Sequence, residues 1–399
     1  MNSSELTNIV KSLASELNFD LCNITSAEPF SADRDIAIER IQSGKMAGLP
    51  WFNESRVVRG TDPSILLQGA RSIISVGINY YQSRDTNSQN KAMGKVAVYA
   101  WGKDYHRVVK KRMKLLVDNI TKILGNNFNA RWYIDDGPML DRSVARRSGI
   151  GWIGKNTNLL SPELGSWVFL GQIITDLDLE IDLPLKKHCG TCTRCIEQCP
   201  TNAITDPYTI DNSRCISHLT IENRGPIPTE LRDAIGEWVF GCDICQDVCP
   251  VNTKSQLSRE PLFKVNSRQS LDLINILTMS EEEFREEFSG TPIMRSKYHG
   301  MQRNACVVLG NIGSPDSIPA LTYALKSDSP IVRGHSAWAL GKIGGQRSEL
   351  ALIGQLSIET DPEVIEELQS AVSHITGSVS YTQSPSPRDA TLSRMPSSA

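Results

Sequence analysis

The chain of 399 residues lacks any uninterrupted apolar run long enough to cross a bilayer. Its opening, MNSSELTNIVKSLASELNFD, has neither a basic n-region nor an apolar h-region, and nothing in it resembles a twin-arginine leader. The expected home is therefore the cytoplasm, where structural disulfides are rare. Neither sign of charge is in large excess: 42 basic and 45 acidic side chains leave a net charge of −3, so the overall balance gives no ground for a nucleic-acid partner. Any basic surface must be local. What remains is an ordinary composition, 40% hydrophobic, at a length that accommodates two or three domains.

Cysteine departs from this ordinariness. Of ten cysteines, eight fall between residues 189 and 249. Cys189, Cys192, Cys195 and Cys199, followed by Pro200, spell C-x2-C-x2-C-x3-C-P; Cys242, Cys245, Cys249 and Pro250 spell C-x2-C-x3-C-P, with Cys215 upstream. That is the pattern for two 4Fe-4S clusters. In the bacterial ferredoxin arrangement the first three cysteines of a run hold one cluster and the fourth reaches the other. By that exchange Cys189, Cys192, Cys195 and Cys249 bind one cluster, and Cys199, Cys215, Cys242 and Cys245 the second. Residues 181–255 are thus expected to form a ferredoxin-like domain that moves single electrons. A disulfide framework suits small secreted chains. A zinc site usually takes two C-x2-C pairs across a longer spacer, not three cysteines at intervals of three with a Pro after the last. The displaced Cys215, separated from Cys242 by Gly225-Pro226-Ile227-Pro228, is the departure from the simplest ferredoxin. Cys22 and Cys306 lie in apolar surroundings and read as small buried hydrophobes.

Residues 1–180 mix helical and strand periodicities as an α/β domain does. Val96–Ala100 and Ser166–Leu170 read as strands, and Tyr105–Leu124 as an amphipathic helix with Val108, Met113, Leu116 and Ile120 on one side. Its Arg107, Lys110, Lys111 and Lys114 read as a solvated face. In the last third, Arg303-Asn304-Ala305 leading to Leu309-Gly310-Asn311-Ile312-Gly313 recurs as Arg333 leading to Leu340-Gly341-Lys342-Ile343-Gly344. A period slightly above thirty, with a Gly closing each helix, predicts a short HEAT-like α-solenoid over residues 256–375, a surface suited to a macromolecule. Between 291 and 350, seven basic residues face three acidic ones in a chain that is negative overall, a local excess suited to backbone phosphates. Arg295, Arg303 and Arg333 are the expected contacts, the alternative being solvated side chains. The Ser-, Pro- and Thr-rich tail, 376–399, is expected to be disordered.

One stretch remains. Tyr133-Ile134-Asp135-Asp136-Gly137-Pro138 places carboxylates at a strand end where the chain turns sharply. Farther on, Gly149-Ile150-Gly151-Trp152-Ile153-Gly154-Lys155-Asn156 lets backbone approach a large ligand, without the spacing of a Walker loop. A tight structural turn would explain it as well as a cofactor pocket. These two segments, Tyr99-Ala100-Trp101-Gly102-Lys103-Asp104-Tyr105-His106, the cysteine runs and the Arg303-Asn304-Ala305 solenoid together resemble the epoxyqueuosine reductase family, in consistent order over roughly residues 5–375.

The resemblance implies that residues 1–180 are a cobalamin-binding catalytic domain. It implies reduction of the epoxide of epoxyqueuosine to the alkene of queuosine, at the wobble base of tRNAs with G-U-N anticodons. An external low-potential electron donor and a monomeric state come with it. Cobalamin enters only this way, since the D-x-H-x-x-G signature of one class of B12 proteins is missing. The family's proton donor carries over onto Asp135, with Asp136, a small residue in the family pattern, expected to point the opposite way. Arg56, Tyr99, Tyr105, Asp135, Lys155, Asn156 and Ser217 are the implied corrin contacts, against the plainer readings of core aromatics and solvated arginines. A reductive dehalogenase would share the cobalamin domain and clusters but typically carries a twin-arginine leader and no solenoid. A ferredoxin fused to a helical scaffold would leave the first 180 residues without a task.

Overall fold

The computed structural model describes residues 2–84, 92–125, 128–264 and 268–382. Four strands, β1 (Leu21–Ser26), β2 (Ser72–Asn79), β3 (Ala130–Tyr133) and β4 (Val168–Thr175), form an antiparallel sheet in the order β1-β2-β4-β3. Every residue of β2 is buried, because helices cover both faces. Helices α1 (Ser3–Glu16) and α2 (Tyr105–Leu124) share an apolar cluster with Ile74, Val76 and Ile173. On the opposite face Val144 of α3 (Asp141–Arg147) packs with Ile73 and Ile174.

Helix α2 occupies the span that the periodicity predicts. The Asp104 carboxylate caps it, accepting from the His106 N–H at 3.0 Å, and Gly125 ends it at φ +67°. Its buried stripe is Tyr105, Val109, Met113, Leu116 and Ile120, so Val109 rather than Val108 faces inward. The helix sits close to the sheet because β4 offers Gly171, where an added Cβ would stand 2.6 Å from the Met113 sulfur.

The expected strand at Val96–Ala100 stops at Val96. Beyond it Val98–Ala100 form a 3-10 turn, pinned by the Val98 N–H donating to the buried Asp243 carboxylate at 2.8 Å. The strand Met93–Val96 pairs in parallel with Trp238–Phe240 and antiparallel with Ser270–Asp272. This sheet therefore joins segments on both sides of the boundaries drawn at 180 and 255. One continuous buried cluster runs from Leu6 to Ile375, so the three segments share a core.

The C-terminal third is helical: α4 (Tyr298–Ile312), α5 (Ile318–Ala324), α6 (Pro330–Ile343), α7 (Gly345–Leu356) and α8 (Pro362–Thr382). The repeated Leu-Gly-x-Ile-Gly has two distinct uses. Its first glycine permits helix contact: a Cβ on Gly310 would lie 2.7 Å from Trp338, and one on Gly341 2.7 Å from Ala371. Its second, Gly313 or Gly344, takes the positive φ that ends the helix. Helix α8 continues through residue 382, so the first part of the expected disordered tail is helical; residues 383–399 lie outside the described residues.

Candidate active site

A cavity of about 670 Å³ opens where the α/β unit, the cysteine segment and the start of the solenoid meet. Tyr99, Tyr105, Asp135, Asn156 and Ser217 line it, together with Arg142, His218, Glu222, Arg295 and Lys297. The last five were not singled out as pocket residues by the sequence, because they are scattered over 156 positions and no common motif joins them. Arg56 and Lys155 lie elsewhere. Arg56 sits over the Trp51 ring at 4.9 Å and donates to the Gly137 carbonyl in a neighbouring groove, while the Lys155 ammonium donates to the Gly190 carbonyl at 2.9 Å.

The turn after β3 separates its two acids. Asp135 has φ +53°, a left-handed conformation that costs a non-glycine residue on the order of 1 kcal/mol or more. That twist presents its carboxylate to the cavity, where the Tyr105 hydroxyl donates to Oδ2 at 2.7 Å. Burial, then the charge of Asp135, pushes the Tyr105 phenol well above its usual range, so it remains a donor. Its ring is fixed between Phe169, centroids 4.2 Å apart and nearly parallel, and His106 at 4.1 Å. Asp136 faces the other groove. Its carboxylate receives the Lys110 ammonium at 2.6 Å and the Ile134 N–H at 3.0 Å, and these outweigh burial to hold it below the ordinary aspartate range.

Elsewhere in the wall, Arg295 pairs with Glu222 at 2.7 Å; burial opposes its charge, and Glu222 together with Tyr105, Asp135 and Tyr99 more than offsets that. His218 leaves Nδ1 buried without a partner, and its Nε2 abuts Gly48, where a Cβ would come within 2.4 Å. Burial lowers the His218 pKa, favouring the neutral ring.

The cysteines fall into two neighbourhoods. Burial raises the Cys195 thiol, and Cys249, Cys189 and Cys192 raise it further; Cys249 responds likewise to Cys189 and Cys192. In the second neighbourhood burial raises Cys242, with Cys215 and Cys199 adding to it, and Cys245 with Cys242 and Cys215 adding. Among the described residues no three Cys, His, Asp or Glu side chains converge tightly enough for a single metal ion. Backbone and amide donors point at the sulfurs: the Ala203 N–H at 3.3 Å from Cys199 Sγ and the Asn158 amide at 3.9 Å from Cys245 Sγ. Cys215, Cys242 and Cys245 line the cavity, whereas Cys189 and Cys249 pack with Trp152 and Leu160. Cys306 is fully buried, and Cys22 is half-buried with its thiol pushed up to about 12 by burial.

Two of the three expected phosphate contacts are corrected. Arg303 is 1% exposed and spends its guanidinium on the carbonyls of Asn223, Gly225 and Leu219 and on the Asn304 side chain. Burial pulls its pKa down to about 9. Arg333 is held in a two-pronged pair with Glu359, at 2.8 and 2.9 Å, and also donates to Ser327. Arg303 ties the solenoid to residues 219–225 and Arg333 braces it internally; local charge counting could not separate them from surface cations.

Comparison with known proteins places these features. Residues 61–136 match the family model "Epoxyqueuosine reductase QueG, DUF1730", residues 188–252 a 4Fe-4S double cluster binding domain, and residues 292–373 HEAT repeats. The chain is similar to an epoxyqueuosine reductase of Xanthomonas campestris pv. campestris, 40% identical over 343 residues, covering 84% of this chain and 95% of that one. It is also similar to one of Bacillus anthracis, 34% identical over 376 residues, covering 92% and 97%. Among solved structures, an epoxyqueuosine reductase with an epoxyqueuosine-modified tRNA-Tyr stem loop superposes with a TM-score of 0.89 at 31% identity, over 94% of this chain and all of that one.

Proposed function

The chain belongs to the epoxyqueuosine reductase family, and from that premise we propose how its own residues reduce the epoxide of epoxyqueuosine to the alkene of queuosine at the wobble position of tRNA. The observation that carries the reading is the Asp135 turn, a strained backbone displaying one carboxylate into a cavity walled by three cysteines. Spending conformational energy on that display is characteristic of a functional position.

The residues present fit both groups that the family requires. Two sets of four neighbouring thiols, Cys189, Cys192, Cys195 with Cys249 and Cys199, Cys215, Cys242 with Cys245, suit two 4Fe-4S clusters. The cavity suits a corrinoid: it is large, mixes Leu49, Trp51 and Met294 with polar groups, and holds the unpartnered His218 Nδ1 in its wall. When bound, cobalamin supplies the two-electron reducing power that no side chain has. Because Cys215, Cys242 and Cys245 face the cavity and the first set does not, the second set is the one adjacent to the chemistry. Tyr99, Tyr105, Asn156 and Ser217 would hold the corrinoid, whereas Arg56 and Lys155 do not line this cavity.

Asp135 gives a proton to the oxygen released as the epoxide opens. Tyr105 keeps that carboxyl turned inward, and Phe169 and His106 keep Tyr105 in place. The tRNA stem loop approaches over the solenoid side of the cavity, where Arg295 and the exposed Lys297 stand at the wall. No described helix is long and apolar enough to cross a membrane, and a cytoplasmic monomer served by an external low-potential donor completes the reading. Nucleoside analysis tests it: digested tRNA from a strain lacking this protein accumulates epoxyqueuosine, and the purified protein with cobalamin and a strong reductant converts it to queuosine. An unchanged nucleoside profile in that strain, with no conversion in vitro, overturns it.

A further inference from the structure

The reaction sets a proton count. Turning an epoxide into an alkene breaks both C–O bonds, and the oxygen leaves as water, so each turnover consumes two electrons and two protons. Asp135 carries one.

Behind the Asp135 turn a second carboxyl begins α3. Asp141 has a buried Oδ1 without a hydrogen-bond partner. Beneath it the Gln172 side chain of β4 donates Nε2 to the Asp141 carbonyl at 3.3 Å, leaving its own Oε1 buried and unpaired. Directly across the sheet from Gln172 lies Ser75 of β2, whose buried Oγ is also without a partner. Three unpaired buried polar atoms on adjoining groups are rare in a folded chain and ask for a reason. Two of them, Asp141 Oδ1 and Gln172 Oε1, are acceptors while Asp141 is ionised; once protonated, Asp141 supplies a donor to the group.

We propose that Asp141 is the proton store of this site: after Asp135 has protonated the opening epoxide, the Asp141 O–H bond breaks and an Asp135 O–H bond forms, readying Asp135 for the second transfer that releases water. After product leaves, two protons from solvent restore both carboxyls, one to Asp141 and one to Asp135. Asp141 does not line the cavity and acts only through Asp135, as a positioning residue for the proton. The charged groups around it agree: burial pushes its carboxyl well above the usual carboxylate range, Asp135 and Asp136 of the turn push the same way, Arg142 on its own helix opposes, and β2 and β4 contribute the uncharged Ser75 and Gln172. Burial and the two acids of the turn thus favour the protonated form of this second carboxyl.

The inference rests on the epoxyqueuosine reading, and its test separates the two. In infrared spectra of the purified protein, without substrate or cobalamin, a protonated-carboxyl stretch should persist at neutral pH, vanish in Asp141→Asn and shift in Asp141→Glu. In turnover, Asp141→Asn should slow kcat about tenfold to a hundredfold with iron content and tRNA affinity unchanged, and the alkaline fall in rate should begin at lower pH; Asp141→Glu should restore most of both. A wild-type pH profile in Asp141→Asn, a folded Asp141→Glu as slow as the Asn variant, or a protonated-carboxyl band indifferent to position 141 overturns the proposal. If Asp141→Asn does not fold, the shift of the band in Asp141→Glu decides. Failure of the wild type to act on epoxyqueuosine would sink the functional reading and leave the infrared result standing.

Discussion

The turn at Asp135–Pro138 and the interior of the solenoid both carry charged side chains at conspicuous sequence positions, yet they use them oppositely. In the solenoid, charge is consumed by structure: Arg303 satisfies three carbonyls that α-helical and loop geometry leave free, and Arg333 closes on Glu359. At the turn, structure is strained to keep charge available. Six non-glycine residues among those described have positive φ, and three of them, Asp135, Thr157 and Lys297, line the cavity. Under the proposed function, a charged residue of this chain acts chemically where the backbone bends to display it, and structurally where backbone carbonyls surround it.

The sharpest way to break that contrast is within the turn itself. Asp135→Asn keeps the shape and removes the acid, so turnover should fall about a hundredfold to ten-thousandfold while iron content, corrinoid binding and tRNA affinity stay near wild type. Asp136→Asn, which loses only its pair with Lys110, should cost far less. If steady-state rates reverse that ranking, the acid facing the substrate is Asp136 and the geometry of the turn has been misread.

Asp135 was expected as the proton donor only through family resemblance, because a strand-end acid followed by Gly-Pro is compatible with an ordinary turn. The left-handed twist that selects it over Asp136 has no sequence signature. The double-cluster segment was legible for a different reason: cluster ligation imposes a spacing that almost nothing else produces. Repeat periodicity likewise disclosed the helical third and the helix-ending glycines, but the contact role of Gly310 and Gly341 needs the neighbouring helix to be seen. Illegible were the features made by distant segments meeting: the sheet that joins residues 93–96, 238–240 and 270–272, and the cavity wall of Arg142, His218 and Glu222.

Next in size is the test of the displaced ligand. Cys215 belongs with the thiols facing the cavity, so Cys215→Ala should take the anaerobically purified protein from about eight irons toward about four, the content of one 4Fe-4S cluster. Full iron content in that variant would break the pairing of Cys215 with Cys199, Cys242 and Cys245.

The solenoid side of the contrast predicts a loss of stability without a loss of chemistry. Arg303→Ala takes this donor from the carbonyls of Leu219 and Asn223, while Gly225 keeps the Asn223 amide at 3.2 Å, at about 1–3 kcal/mol for each group that finds no other partner. Urea denaturation should show a drop of about 3 kcal/mol or more, while the rate per folded molecule at low temperature stays close to wild type. A variant as stable as wild type but deficient in tRNA binding would return Arg303 to the phosphate-contact role that its burial denies.

The smallest effect distinguishes cations by their response to salt. Lys297 is exposed, lines the cavity and sits at φ +63°, whereas the Arg333 guanidinium is already committed to Glu359. If Lys297 meets a phosphate of the stem loop, Lys297→Ala removes about one counterion from the binding equilibrium, and the plot of log affinity against log salt should flatten by about 0.7–0.9. Arg333→Ala should leave that slope unchanged and lower the melting temperature instead, since it removes the counterion of the nearly buried Glu359 carboxylate, whose pKa Arg333, helped by Gln355 and the Thr360 and Asp361 N–H groups, lowers to about 2. The sign follows from linkage: a carboxylate depressed in the fold stabilises it above the unfolded value near 4.3 and loses that contribution as pH falls toward 2, so the melting deficit of Arg333→Ala should shrink on acidification. Equal slopes for both variants would mean that display by the backbone does not mark the phosphate contacts, and the contrast would then hold for the acids of the turn alone.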